Sequence, residues 1–324
     1  MNHLSITVCS FHLRKFNSKT NKDIYDLNKN ISYINDNEDH LITTVKEMFM
    51  AFSSSYSESK KDDDKKKTFS CTYLPFGDFS TEKYNGFSFE IQSGYYGSSS
   101  TILDADTREK KYEMTPNDVA EKKFYLYVII PKDNRQVIVN KGILIFQNIG
   151  IFGVKTITYE NLFRFLSETY NISISCATIS PELFVKKIVT KNNIKKMIMV
   201  KNHKSTNDTD LYYNGFGSET RIISKLCFSD TIWEKIVSAI NIFIKGKANL
   251  FEFQNIEYDK LKLLVKIGEK DRTIDLHNLD KLSIIEEIPD YIQDEKGYAD
   301  FIQLTEYIKS TVDDYLQEMV FRIQ

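Results

Sequence analysis

The chain opens with the two-residue period of an extended segment: Leu4, Ile6, Val8 and Ser10 alternate with Ser5, Thr7, Cys9 and Phe11, which predicts an N-terminal strand with both faces partly covered. After a polar Asn/Lys/Asp stretch, Leu41, Val45, Met48 and Phe52, flanked by Ile42 and Phe49, mark the apolar stripe of a helix. From Phe69 the pattern turns to strands. Stretches rich in β-branched and aromatic residues at 69–74, 86–91, 101–103, 124–130 and 143–147 are separated by Gly, Pro, Asn and Asp clusters. Thr115-Pro116-Asn117-Asp118 has a capping residue, a first-turn proline and a carboxylate three residues on, so a short helical turn is expected there.

Leu162, Phe165, Leu166 and Tyr170 recur at helical spacing, and Ile172, Ile174, Cys176 and Thr178 then alternate, predicting a helix followed by a strand. Ser180-Pro181 opens a further helix carrying Leu183, Phe184 and Ile188, with a strand expected over 194–200. The polar, glycine-punctuated stretch 202–217 reads as a loop and a domain boundary. Beyond it, strands are expected near 221–228, 250–253, 261–267 and 272–276, with a helix over 230–244 around Trp233. A final helix over 298–319 would carry Phe301, Leu304, Ile308, Val312, Tyr315 and Met319 on one face.

These elements make an α+β protein. The expectation is a mostly antiparallel, sheet-rich N-terminal part with packed helices, and a smaller α+β C-terminal part ending in a long helix. At 324 residues the chain exceeds the size at which one core stops growing, so two domains are expected, 1–202 and 219–324. The Ser-rich, charge-blocked segment 53–67 has Tyr56 as its only large apolar-bodied side chain, and it reads as a flexible surface loop inside the first domain.

Composition narrows the classes. With 41% hydrophobic, 27% charged and 13% aromatic residues the chain is globular, and its aromatic share favours sheet. Basic residues are almost all Lys, with Arg only at Arg14, Arg108, Arg135, Arg164, Arg221, Arg272 and Arg322, a bias expected of an AT-rich bacterial or viral gene. Residues 1–13 have no basic start followed by an apolar run, and no apolar run approaches the roughly 20 residues that cross a bilayer, so a cytoplasmic protein with no membrane partner is expected. Cys9, Cys71, Cys176 and Cys227 lie far apart, without C-x-x-C spacing, as suits buried free thiols.

Charge is strongly segregated. From Val185 to Asn207 there are seven lysines and no carboxylate, while from Glu252 to Glu318 there are 17 acidic against 8 basic residues. The strip Lys186, Lys187, Lys191, Lys195, Lys196, Lys201, His203 and Lys204 is therefore the candidate nucleic-acid-binding site, with Phe184, Tyr212, Tyr213 and Phe216 near enough in sequence to stack bases. The same polarity also serves docking of a protein partner, or of the acidic part of a second copy in a homo-oligomer whose charges organise self-assembly.

For catalysis the alternative is a metal-dependent nuclease in which Asp104, Asp106 and Glu109 hold magnesium and Lys111 steadies the attacking water; otherwise no cofactor and no structural metal are expected. His3, His12, His40, His203 and His277 show no metal-ligand spacing, and phosphate-loop, dinucleotide and α/β-hydrolase signatures are missing. Gly94-Tyr95-Tyr96-Gly97-Ser98-Ser99-Ser100 brings backbone amides and aromatic faces together, but reads first as a hairpin turn.

The runs Gly86-Phe-Ser-Phe-Glu-Ile-Gln-Ser-Gly-Tyr-Tyr-Gly97, Phe124-Tyr-Leu-Tyr-Val-Ile-Ile-Pro131 and Gly142-Ile-Leu-Ile-Phe-Gln147 resemble a group of bacterial proteins of prophages and anti-phage defence loci, over roughly residues 69–200. The resemblance implies an accessory role in antiviral defence and supplies no catalytic residues.

Overall fold

The computed structural model describes residues 4–18, 23–34, 39–132, 138–150, 152–178, 192–203, 217–224, 233–238, 251–254, 256–267, 270–276 and 285–322. The protein is sheet-rich α+β, with a curled antiparallel sheet and few helices. By its contacts the chain divides into residues 1–177 with 284–324, and residues 178–283.

In the first unit the strands are β1 (Leu4–Lys15), β2 (Ile31–Ile34), β3 (His40–Thr43), β4 (Lys60–Asp62), β5 (Lys67–Tyr73), β6 (Tyr84–Tyr95), β7 (Ser100–Leu103), β8 (Lys110–Met114), β9 (Ala120–Pro131), β10 (Gly142–Ile149), β11 (Phe152–Gly153) and β12 (Ile172–Thr178). The helices are α1 (Val45–Ser55), α2 (Lys155–Tyr170) and α3 (Phe301–Arg322). The main sheet runs β12-β1-β10-β9-β6-β5-β4, with β11 added to β10. Its central strands read as unbroken apolar runs because both faces are covered: residues 124–130 of β9 and all of β10 are buried. On one face Phe49 of α1 meets Phe11, Phe87 and Phe89 at 5.9–6.1 Å, and Phe52 meets Phe165 of α2 at 5.7 Å. On the other, Phe301 of α3 packs 5.1 Å from Tyr125 and 6.3 Å from Tyr127.

Helix α1 starts where a capping box forms, Glu47 N donating to Thr44 Oγ1 at 3.2 Å and Thr44 N to a Glu47 carboxylate oxygen at 2.7 Å. Helix α2 ends at Asn171 in the left-handed conformation (φ 54°). At 115–118 the capping contacts form, Asp118 accepting from the Thr115 amide and hydroxyl, but no helix follows. The reason is non-local: Ala120 already pairs with Tyr95 as β9 begins.

Residues 53–67 are not an irregular loop. Helix α1 runs through Ser55, and β4 then pairs with β5 in register Lys60↔Phe69, Lys61↔Thr68 and Asp62↔Lys67. Tyr56 anchors the segment: it is 8% exposed, 4.9 Å from Phe52 and 5.5 Å from Phe69, and its carbonyl accepts from Cys71 N. The turn itself is tied by Lys65 N donating to Asp62 Oδ1, with Lys66 left-handed at φ 51°.

The second unit contains β13 (Ile194–His203), β14 (Gly217–Ser224), β15 (Phe251–Phe253), β16 (Ile256–Tyr258), β17 (Lys260–Ile267) and β18 (Lys270–Asp275), with a helical segment at 233–238. Four strands form a sheet of order β14-β13-β17-β18, and β15 pairs with β16. Met197, Met199, Leu261, Leu263, Val265 and Ile274 fill its buried side. Strand β13, expected from sequence in an N-terminal domain ending at 202, thus pairs with β14 and β17. The long helix α3, expected in the C-terminal part, packs on the sheet of the first unit.

The chain returns to the first unit through β19 (Ile285–Glu287), which pairs with β1 as Ser5↔Glu287 and Thr7↔Ile285. Further along β1, Ser10 Oγ donates to Ala177 O and Phe16 N to Asn171 O, so β12 is also antiparallel to β1. Strands β12 and β19 are two stretches of one split edge, and residues 178–283 are an insertion between them.

Candidate nucleic-acid interface

Of the predicted lysine strip, Lys186, Lys187, Lys191 and Lys204 lie outside the described residues, as does the side chain of His203. Lys195, Lys196 and Lys201 are on β13. By strand parity Lys196 shares the face of Ile198 and Val200, opposite the buried Met197 and Met199, whereas Lys201 belongs to the other side. Lys196 instead joins lysines from β17: Lys260 lies opposite Val200 and Lys262 opposite Ile198, and Lys266 follows on the same face. Ile222 of β14, 58% exposed, completes that surface. Strand β18 places Asp275 opposite Lys262 and Asp271 opposite Lys266 in register.

Asp104, Asp106, Glu109 and Lys111 sit on the exposed β7–β8 hairpin. The Asp104 carboxylate accepts from the Thr107 and Asp106 amides at 3.0 Å each, and Lys111 Nζ lies 3.4 Å away. These donors hold Asp104 below the usual carboxylate range, Thr107 contributing most. Its main chain closes the turn, Asp104 N donating to Glu109 O and Arg108 N to Asp104 O, with Arg108 at φ 61°. Asp104 and Lys111 thus meet, and Asp104 serves as a turn residue. Among the described residues no three His, Cys, Asp or Glu side chains are grouped to hold a metal ion.

A denser constellation lies at one end of the main sheet. The register Lys67↔Tyr95 and Ser93↔Lys122 puts Lys67, Tyr95 and Lys122 on the face that α1 covers elsewhere. Strand β11 adds Phe152. Lys67 Nζ is 4.5 Å from the Tyr95 ring centroid, Lys122 Nζ is 5.0 Å from that of Phe152, and the two rings are 6.5 Å apart. Tyr95 is 54% and Phe152 38% exposed, so both are accessible to a ligand. On the same face Lys60 lies 4.3 Å from the Tyr56 ring, whereas Lys61, opposite Thr68 in register, belongs to the other face; it and Lys66 approach the Tyr96 ring at 5.3 and 5.7 Å.

The neighbouring carboxylates are engaged elsewhere. Glu121 accepts from the Ser59 and Thr68 hydroxyls, Glu160 pairs with Lys65, and Asp63 accepts from Tyr96, whose hydroxyl is thereby pushed up to about 12. Among the described residues Lys60, Lys61, Lys67 and Lys122 have no carboxylate within ion-pair distance. A cleft of about 290 Å³ lies toward the opposite face of the sheet, where Gln92, Glu121 and Lys123 meet Asp294, Lys296 and Tyr298.

The Gly94–Gly97 motif builds this surface. A Cβ on Gly94 would lie 2.6 Å from Ala120 O, so glycine lets β6 and β9 close up beneath Tyr95. Strand β6 therefore runs through Tyr95, two residues into what reads as a turn. The chain leaves only at Gly97, at φ 95°. Sequence reasoning singled out this motif but missed Lys67, Lys122 and Phe152, which three other strands contribute.

No protein-family model, curated protein or solved structure matches the chain.

No helix among the described residues is long and apolar enough to cross a membrane. Cys71 is buried, and burial raises its thiol well above the ordinary range and that of Cys176 to about 12, which disfavours the thiolate of both.

Proposed function

We propose that the protein binds single-stranded nucleic acid, with Tyr95 and Phe152 stacking on bases and Lys67 and Lys122 neutralising adjacent phosphates. The observation that carries this reading is the pair of exposed rings 6.5 Å apart, each with an ammonium group beside it to which, among the described residues, no carboxylate is paired. Single strands present unstacked bases to such rings, whereas a duplex keeps its bases inside, so the surface favours the former. Lys60, on the same face of the sheet, extends the cationic track. An accessory role in bacterial phage defence is the setting we attach to this reading, on the strength of the resemblance over residues 69–200.

The test is fluorescence anisotropy with labelled single-stranded and duplex oligonucleotides. Stacking on one aromatic ring contributes about 1–3 kcal/mol, so Tyr95→Ala and Phe152→Ala should each weaken single-strand binding about 5- to 150-fold. Unchanged affinity in both variants overturns the proposal.

A further inference from the structure

On the face of the sheet opposite α1, three basic side chains gather without a counter-ion among the described residues. Phe11 faces α1, so His12 and Arg14 of β1 point the other way. Phe11 is paired with Gly142, which puts Lys141 opposite His12, one step beyond the β1–β10 ladder. All three side chains are half-buried. An Arg14 Nη2 hydrogen bonds to His12 Nε2, which as a neutral imidazole nitrogen accepts. Among the described residues Arg14 Nε is buried with no hydrogen-bond partner, and neither Arg14 nor Lys141 forms an ion pair.

That arrangement is costly as it stands. A guanidinium remains charged at any physiological pH, and a buried charged donor without an acceptor loses its hydration for no return. A second cation close by adds repulsion: Lys141, like Arg14, disfavours protonation of His12. What would satisfy Nε, neutralise both cations and match the planar fork of the guanidinium is an oxyanion held by two parallel N–H bonds. We infer that His12, Arg14 and Lys141 form a binding site for a phosphate group, as inorganic phosphate or as a phosphate monoester. Arg14 supplies the fork, Lys141 the second charge, and His12 steadies the guanidinium by accepting from its Nη2. The site is separate from the Tyr95–Phe152 surface and does not depend on it.

The experiment is calorimetric titration of the full chain, in phosphate-free buffer, with inorganic phosphate and separately with a nucleoside monophosphate, alongside the His12 imidazole proton resonances. The expected result is one phosphate per chain, a shift of the His12 resonances on binding, and at least tenfold weaker binding in Arg14→Gln and in Lys141→Met, with Lys15→Gln, an exposed neighbour, unaffected. Tighter binding of the monophosphate identifies the ester as the ligand class, and equal binding identifies the free anion. Thermal melting without phosphate shows whether each variant is folded; Lys141→Met leaves the guanidinium in place should Arg14→Gln not fold. No heat and no His12 shift in the wild type, or undiminished binding in folded Arg14→Gln or Lys141→Met, overturns the inference.

Discussion

The hydroxyls of Tyr127 and Thr305 meet at 3.1 Å, joining the centre of β9 to α3 across 178 residues of sequence. Thr305 Oγ1 already donates to Phe301 O at 2.7 Å, so Tyr127 is the donor in this pair. Its burial raises the hydroxyl far above the ordinary tyrosine range, and it stays protonated.

An asymmetry follows. Tyr127→Phe leaves Thr305 satisfied and should cost about 0.5–1.5 kcal/mol, whereas Thr305→Val strands a buried tyrosine hydroxyl and should cost about 1–3 kcal/mol. In the double variant the stranded group is gone, so its stability should return toward that of Tyr127→Phe alone. Urea denaturation of the three variants checks this.

Gly142 is required by Phe11. A Cβ there would lie 2.4 Å from the Phe11 ring, which is fully buried and held against Phe49. Gly142→Ala should therefore destabilise the fold by about 1–3 kcal/mol, read as a lower denaturant midpoint at unchanged slope.

How far the sequence alone leads is visible in particular elements. Strand β1 and helices α2 and α3 follow from period alone, because their apolar residues face a core at fixed spacing. Pairing does not follow: β13 comes next after β12 along the chain yet pairs with β14 and β17, and β19 returns to β1 after a long excursion. Local pattern holds no information about such partners. The same limit hid the interface, since Lys67, Tyr95, Lys122 and Phe152 come from four strands and only Tyr95 sits in a conspicuous motif. The Lys-rich strip, contiguous in sequence, divides by strand parity, with Lys196 and Lys201 on opposite faces. At 53–67 the charge run outweighed Tyr56, the one large apolar-bodied side chain visible in the segment, which anchors it.

The insertion of residues 178–283 is testable by excision. Ala177 lies beside Ser10 and Ile285 opposite Thr7, three residues along β1, or about 10 Å. Four Gly/Ser residues span that gap. A chain with 179–283 so replaced should unfold in one cooperative transition with its near-ultraviolet circular dichroism retained, and a non-cooperative melt would refute the insertion.

His12 gives the stability a pH dependence of known sign. Burial first, then Arg14 and Lys141, hold its pKa below the ordinary value of 6.5. As pH falls through that value, the unfolded chain takes up a proton that the native state does not, so stability is present above it and is lost below. Denaturant midpoints in phosphate-free buffer between about pH 8 and about pH 5 should fall more steeply for the wild type than for His12→Gln.

The most direct test of the interface is the salt dependence of single-strand binding in the double variant Lys67→Glu/Lys122→Glu. Each phosphate contact contributes about 0.7 to the slope of log affinity against log salt. The account predicts weaker binding and a slope reduced by about 1.4 for two lost contacts; an affinity and slope equal to those of the wild type would contradict it.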